Sequence, residues 1–125
     1  MKLLLDAHTL LWWLADDPGL AGEARSAIAS ESNEVLVSAA TIWEIAIKRS
    51  IGKLTAPDGL VDMLAEVGFE ELPITGFDAE RAAALPRHHR DPFDRMLVAQ
   101  ASRIGAVVVT RDRAFTPYEV ATLPA

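Results

Sequence analysis

The sequence contains no cysteine among its 125 residues. This absence excludes a disulfide-stapled scaffold and zinc sites built on thiolates, and it permits a reducing cytosol without requiring one. Long hydrophobic runs are also missing, because the apolar opening Leu3-Leu4-Leu5 is interrupted at Asp6. That run is too short for a signal-peptide core or a membrane-spanning helix. We therefore expect one cytoplasmic domain with no membrane partner, since this length suits a single hydrophobic core.

Positive charge is scarce, because 18 acidic side chains outweigh 12 lysines and arginines and give a formal net charge of -6. This balance argues against a nucleic-acid partner. The distribution is uneven, however: residues 1–80 hold 5 basic and 14 acidic side chains (net -9), and residues 81–125 hold 7 basic and 4 acidic ones (net +3). No lysine follows Lys53, so all the later cations are arginines, which can fork onto phosphate oxygens. The later part of the chain fits either a phosphate-binding surface or an ordinary solvated face.

Short apolar runs alternate with segments of helical periodicity along the chain. Strong strands are predicted at residues 2–5, 35–37 and 106–109, and weaker ones at 69–72 and around 119–122. Helices are predicted at residues 9–15, 20–30, 39–50, 60–67, 77–85 and 92–104. This alternation predicts an α/β fold with a mainly parallel sheet of four or five strands, flanked by helices on both faces.

Two aspartates begin the helix that precedes the last strong strand. Asp91 is expected to cap this helix, because proline at the next position has no amide to satisfy. Asp94 then lies in the first turn, where the helix dipole favours negative charge. Asp94 is either a capping-box partner of Asp91 or a metal ligand. Capping is the commoner role on this helix alone, but three carboxylates elsewhere favour the metal.

Asp6 and Asp112 follow two of the strong strands. The carboxyl ends of parallel strands meet at one edge of the sheet, where ligand sites form. Each residue could equally be a turn or cap residue. Glu44 is the only charged residue between Ser38 and Ile47. Its alternatives are an ion pair with Lys48, one helical turn away, and a place in the same crevice.

The helix that carries Asp94 enters the same edge of the sheet. In a β-α-β crossover the helix runs antiparallel to its strands, so its N-terminus lies at their carboxyl ends. Asp6, Glu44, Asp94 and Asp112 are therefore expected to converge. Four carboxylates repel one another unless a divalent cation lies between them. Oxygen ligands select Mg²⁺, for which Mn²⁺ can substitute.

Four segments together resemble the PIN-domain ribonucleases, and within them the VapC-type toxins of bacterial toxin–antitoxin pairs. The segments are Leu3–Thr9, Val37–Ile45, His89–Ala101 and Thr110–Asp112. The resemblance implies a parallel sheet flanked by helices and a metal-dependent endoribonuclease acting on structured RNA such as transfer RNA. It also implies a homodimer that is blocked by a small antitoxin.

The same resemblance identifies the four acids Asp6, Glu44, Asp94 and Asp112 as the catalytic and metal-binding quartet. Asp6 and Asp94 would be the main direct ligands, and Glu44 or Asp112 would orient the attacking water. Phosphate contacts are candidate roles for Thr110, Arg95 and Arg111, and each of these could equally be an ordinary surface residue.

Two other functions fit an acidic crevice. A phosphoryl-transfer hydrolase would use an aspartyl nucleophile after the first strand, but it usually has a second acid two residues later, where this chain has His8. A non-catalytic binding module would use the acids for structure. RNA cleavage that requires a metal would distinguish the nuclease from both.

Overall fold

The computed structural model describes residues 1–125 and contains five strands and six α-helices. The strands are β1 (Lys2–Leu5), β2 (Glu34–Ser38), β3 (Glu70–Leu72), β4 (Val107–Thr110) and β5 (Thr122–Pro124). The helices are α1 (Ala7–Leu14), α2 (Gly22–Ala29), α3 (Ala39–Ser50), α4 (Leu60–Glu66), α5 (Gly76–Ala84) and α6 (Pro92–Ile104). A short 3-10 helix, Arg113–Phe115, follows β4.

The strands form one sheet in the order β3-β2-β1-β4-β5, and every neighbouring pair is parallel. The expected parallel α/β architecture is therefore confirmed. β1 and β4 are adjacent at the centre, with Leu5 opposite Val109. The residues that follow these two strands consequently meet at the same edge of the sheet.

One predicted strand is displaced along the chain. Sequence periodicity placed the last edge strand around residues 119–122, whereas β5 covers Thr122–Pro124. Residues 118–120 form a turn instead, in which the N–H of Val120 donates to the carbonyl of Tyr118 at 2.8 Å. Pro124 is accommodated because it ends an edge strand, where a missing N–H costs little.

Helices cover both faces of the sheet, and alternate residues of each central strand point into separate cores. Leu3 and Leu5 face the core that α1, α2, α3 and α4 cover, while Leu4 faces the core beneath α6. This two-sided burial explains why the strands are continuous apolar runs.

Helices α5 and α6 are joined by a partly buried ion pair. Asp78 is fully buried, and its two carboxylate oxygens accept hydrogen bonds from Arg103 at 2.6 and 2.9 Å. Burial opposes ionisation, but the hydrogen bonds from Arg103 and Thr75 outweigh it and lower the pKa of Asp78. The pair holds α6, the helix that carries Asp94, against α5. None of the helices combines the length and apolar character needed to cross a membrane.

Candidate active site

Asp6 begins the site at the carboxyl end of β1. Its Oδ1 accepts a hydrogen bond from the N–H of Thr9 at 2.9 Å and so caps α1. Its Oδ2 accepts a hydrogen bond from the hydroxyl of Thr110 at 2.5 Å. The side chain is buried, so these two donors offset much of the cost of removing a carboxylate from water. Asp6 is thereby held in one orientation between β1 and β4.

Thr110 connects Asp6 to Asp112. The Thr110 hydroxyl donates to Asp6 and accepts a hydrogen bond from the N–H of Asp112 at 3.0 Å. Asp112 Oδ1 accepts from the N–H of Ala114 at 2.8 Å and caps the 3-10 helix, while its side chain is about half exposed. One hydroxyl group therefore joins the acids that the sequence placed at the ends of two strands.

Asp94 lies at the N-terminus of α6. Asp91 is the N-cap, as expected, and its Oδ1 accepts from the N–H groups of Phe93 and Asp94 at 2.8 and 3.3 Å. The Asp94 carboxylate points elsewhere, because its Oδ2 lies 2.7 Å from Nε2 of His89. The capping-box alternative for Asp94 is therefore not the arrangement adopted.

The environment of Asp94 opposes its ionisation. Burial raises the pKa of Asp94 to about 7, and the negative charges of Asp91 and Glu44 act in the same direction. The hydrogen bond from His89 and its charge act in the opposite direction without prevailing. Removal of Asp94 from water is therefore the main cause of its raised pKa, and the neighbouring acids add to it.

Glu44 lies on α3, which contacts α6, the helix that carries Asp94. Its side chain is buried, and Oε2 accepts from Nζ of Lys48 at 2.6 Å. This hydrogen bond raises the pKa of Lys48 against the effect of burial, and the charges of Asp91 and Asp94 also raise it. The ion pair expected as an alternative role for Glu44 is thus formed, within electrostatic reach of Asp94.

Three of the side chains come close enough to share a cation. Nε2 of His89, one oxygen of Asp94 and one oxygen of Asp112 all lie within 4.8 Å of one another. Nε2 of His89 is 3.5 Å from Oδ2 of Asp112. Asp6 is linked to Asp112 by the hydrogen bonds of the Thr110 hydroxyl, and the negative charge of Glu44 raises the pKa of Asp94. Of the four predicted acids, Asp94 and Asp112 belong to the group whose ligand atoms lie within 4.8 Å of one another, whereas Asp6 and Glu44 do not.

His89 is the member that reasoning from the sequence did not single out. It stands in a basic stretch, Arg87–Arg90, whose composition suggests a solvated loop. The available signal was its spacing, since it precedes the Asp91 cap by two residues and Asp94 by five. Only the path of the loop places the imidazole over the first turn of α6.

Arg95 and Arg111 have partners within the protein. The two terminal nitrogens of Arg95 donate to the carbonyls of residues 83, 85, 86 and 89 and to the hydroxyl of Tyr118. Arg111 donates to the backbone oxygens of Gly19 and Ala125 and lies over the ring of Trp12 at 4.2 Å. These contacts favour a structural role for both arginines over contact with phosphate.

A basic concavity opens beside the acidic crevice. It has a volume of about 540 Å³ and is lined by Ala83, Arg87, His89, Arg90, Pro92 and Arg95. Arg87 and Arg90 are exposed. His89 lines this concavity and also belongs to the group with Asp94 and Asp112.

Comparison with known proteins agrees with this architecture. A family model described as "PIN domain" matches residues 3–120. Ribonuclease VapC22 of Mycobacterium tuberculosis is 34% identical over 119 residues, which cover 89% of this chain and 87% of that protein.

Two solved structures share the fold. VapBC2 from Rickettsia felis, bound to a promoter DNA fragment, superposes with a TM-score of 0.72 at 13% identity and 98% coverage of both chains. DNA-bound VapBC from Salmonella typhimurium gives a TM-score of 0.69 at 22% identity, covering 98% of this chain and 97% of that chain. With the family model matched over nearly its whole length, this chain belongs to the PIN domain family.

Proposed function

We propose that this protein is a metal-dependent endoribonuclease and the toxin component of a type II toxin–antitoxin pair. The observation that carries the proposal is the group of His89, Asp94 and Asp112 around one point, with Asp6 and Glu44 beside it. A relative named as a ribonuclease, 34% identical over most of the chain, supports the same activity.

The donor set fits a divalent cation. Carboxylate oxygens are the ligands that Mg²⁺ and Mn²⁺ prefer. A cation there would also offset the repulsion between Asp94 and its acidic neighbours, Asp91 and Glu44. Asp94 and Asp112 would hold the ion, with Asp6 and Glu44 completing the acidic set. Mg²⁺ is the expected cofactor, and Mn²⁺ can replace it.

A bound cation supplies a hydroxide nucleophile near neutral pH and neutralises charge on the scissile phosphate. The chain's own residues do the remaining work. The second oxygen of Glu44 would accept the proton of the attacking water. Thr110 keeps Asp6 aligned through its 2.5 Å hydrogen bond, and Asp6 is buried, so few water molecules can compete with that hydrogen bond. Attack by water leaves a 5′-phosphate and a 3′-hydroxyl.

RNA is the substrate that the surface beside the site suits. The concavity that contains Arg87 and Arg90 is also lined by His89, so a phosphate backbone bound there would lie next to a member of the acidic group. This local positive surface offsets the net charge of -6, which would otherwise repel a polyanion. The family resemblance suggests that the substrate is structured RNA such as transfer RNA. We propose that the protein acts on it in the cytoplasm.

The partners proposed are a cognate antitoxin and a second copy of the chain. Two similar folds come from proteins solved as VapBC assemblies, and another comes from a toxin–antitoxin complex of Klebsiella pneumoniae. An antitoxin that covers the acidic crevice would prevent cleavage, and a homodimer would present two crevices.

The test is cleavage of total RNA by purified protein with Mg²⁺, with Mn²⁺, or with EDTA, followed by sequencing of the new ends. We expect metal-dependent cuts with 5′-phosphate ends, and no cuts by the Asp94→Asn variant. Cyclic phosphate ends formed in EDTA would reject the mechanism. Covalent acyl-phosphate on Asp6 would instead indicate a phosphoryl-transfer enzyme.

A further inference from the structure

We infer that His89 is a nitrogen ligand of the bound cation and that it raises the affinity of the site for Mn²⁺ relative to its affinity for Mg²⁺. This inference rests on the proposed metal-dependent function, and it adds a ligand that the acidic quartet does not include. The imidazole is the one nitrogen donor among the side chains that converge on the crevice.

The spacing of the three ligand atoms fits one coordination sphere. Neighbouring ligands of an octahedral ion with bonds of about 2.1 Å lie about 3.0 Å apart. Nε2 of His89 is 2.7 Å from Oδ2 of Asp94 and 3.5 Å from Oδ2 of Asp112, so its two separations bracket that value. On metal binding, Nε2 of His89 would release to solvent the proton that it shares with Asp94, and small side-chain movements would bring all three atoms to bonding distance.

The imidazole is also held in place by its own contacts. The N–H of His89 donates to the hydroxyl of Tyr118 at 3.0 Å, and Arg95 donates to the carbonyl of His89 at 3.2 Å. The ring packs edge-on against Phe115, and the side chain is 20% exposed. A ligand that is ordered before the metal arrives loses little conformational entropy on binding.

The loop that carries His89 is also held in place by hydrogen bonds. Tyr118 donates its hydroxyl hydrogen to the carbonyl of Pro86 at 2.7 Å, and Arg95 donates to that carbonyl at 3.0 Å. Tyr118 and Arg95 thus both hold the carbonyl of Pro86, three residues before His89. The structural role of Arg95 is therefore to position His89.

A nitrogen ligand changes which metal the site selects. Mg²⁺ prefers oxygen ligands and retains its waters, whereas Mn²⁺ binds imidazole more readily. Replacing the nitrogen by an oxygen should therefore weaken Mn²⁺ binding while leaving Mg²⁺ binding nearly unchanged. A residue that only orients Asp94 would weaken both ions to the same extent.

The experiment measures Mn²⁺ and Mg²⁺ binding by the full chain and records pulsed electron paramagnetic resonance of bound Mn²⁺. His89→Gln removes the nitrogen and supplies an amide oxygen. His88→Gln is the matched control, because His88 is exposed and packs against Tyr118 outside the acidic group.

We expect nitrogen coupling to Mn²⁺ in the native protein and in His88→Gln, and its loss in His89→Gln. The ratio of the Mg²⁺ to the Mn²⁺ dissociation constant should fall by about tenfold in His89→Gln only. Bound Mn²⁺ without nitrogen coupling, or an unchanged ratio, would overturn the inference while leaving the proposed nuclease intact. Absence of Mn²⁺ and Mg²⁺ binding by the native protein would overturn both.

Discussion

Replacing Asp94 by asparagine should stabilise the metal-free protein while abolishing its activity. The carboxylate has a pKa of about 7 in the folded chain, against an ordinary value of 3.8. A carboxyl group with a raised folded-state pKa supports folding fully below pH 3.8. That contribution is lost as the pH rises to about 7, because only the unfolded chain ionises freely in this interval.

The size of the effect follows from the interval between the two pKa values. Each pH unit corresponds to about 1.4 kcal/mol, so the ionised carboxylate costs the folded state about 4 kcal/mol above pH 7. The side chain is only 15% exposed, so screening by solvent reduces this value little. Asparagine also loses a first-turn charge worth about 0.5 kcal/mol and weakens the contact with His89. A net gain of about 2–3 kcal/mol is expected.

The assay is urea unfolding at pH 7.5 and at pH 4.5, in EDTA and in saturating Mg²⁺. The Asp94→Asn variant should be more stable than the native chain at pH 7.5 in EDTA, and the difference should shrink at pH 4.5. Mg²⁺ should stabilise only the native chain. Asp112→Asn is the control, because Asp112 is half exposed and asparagine keeps its capping role.

A loss of stability for Asp94→Asn in EDTA at pH 7.5 would contradict the prediction that the ionised Asp94 carboxylate destabilises the folded chain. It would mean that Asp94 works as a helix-stabilising charge and that its neighbours do not disfavour its ionisation. A gain of the same size for Asp112→Asn would also count against it, since relief of repulsion would then not be specific to the buried carboxylate.

Three further changes test the framework around the site. Thr110→Val should cost about 1–3 kcal/mol in urea unfolding by depriving buried Asp6 of a donor, and Thr110→Ser should restore most of it. Arg103→Met should lower the free energy of unfolding in urea, because Asp78 would remain buried without its partner. Because the pKa of Asp78 is lowered, the native pair should stabilise the protein above about pH 3.8 and lose that effect in more acid solution, and calorimetry against pH checks this. Arg95→Lys should lower stability and metal affinity but leave the salt dependence of RNA binding unchanged, whereas a phosphate contact would lower its slope by about 1.

The parallel α/β architecture was predictable because periodicity and capping agree along the chain. Ser38 caps α3, Asp91 caps α6, and Gly105 ends α6 in the left-handed conformation, all at positions where the sequence signals are strong. The edge strand was misplaced because edge pairing is set by the partner strand. A short run between two prolines contains little information about that register.

The sequence predicted that Asp6 and Asp112 follow neighbouring strands, but it did not predict the contacts around them. Asp6 and Asp112 were expected at one edge of the sheet from the rule for parallel strands, and the structure joins them through the hydroxyl of Thr110. The position of His89 depends on how an irregular loop folds against Tyr118, and local periodicity does not describe such loops. The internal contacts of Arg95 likewise involve backbone carbonyls, which no side-chain pattern reveals.

The hydrogen bond between Thr110 and Asp6 joins residues that are 104 positions apart, across the two central strands. Asp6 therefore keeps this orientation only while β1 and β4 remain paired. Hydrogen exchange should therefore slow by the same factor in β1, β4 and α6 when Mg²⁺ is added, about a hundredfold at a hundred times the dissociation constant. Long-range pairing of this kind also makes folding comparatively slow, so the nuclease would become active only after the whole sheet has assembled.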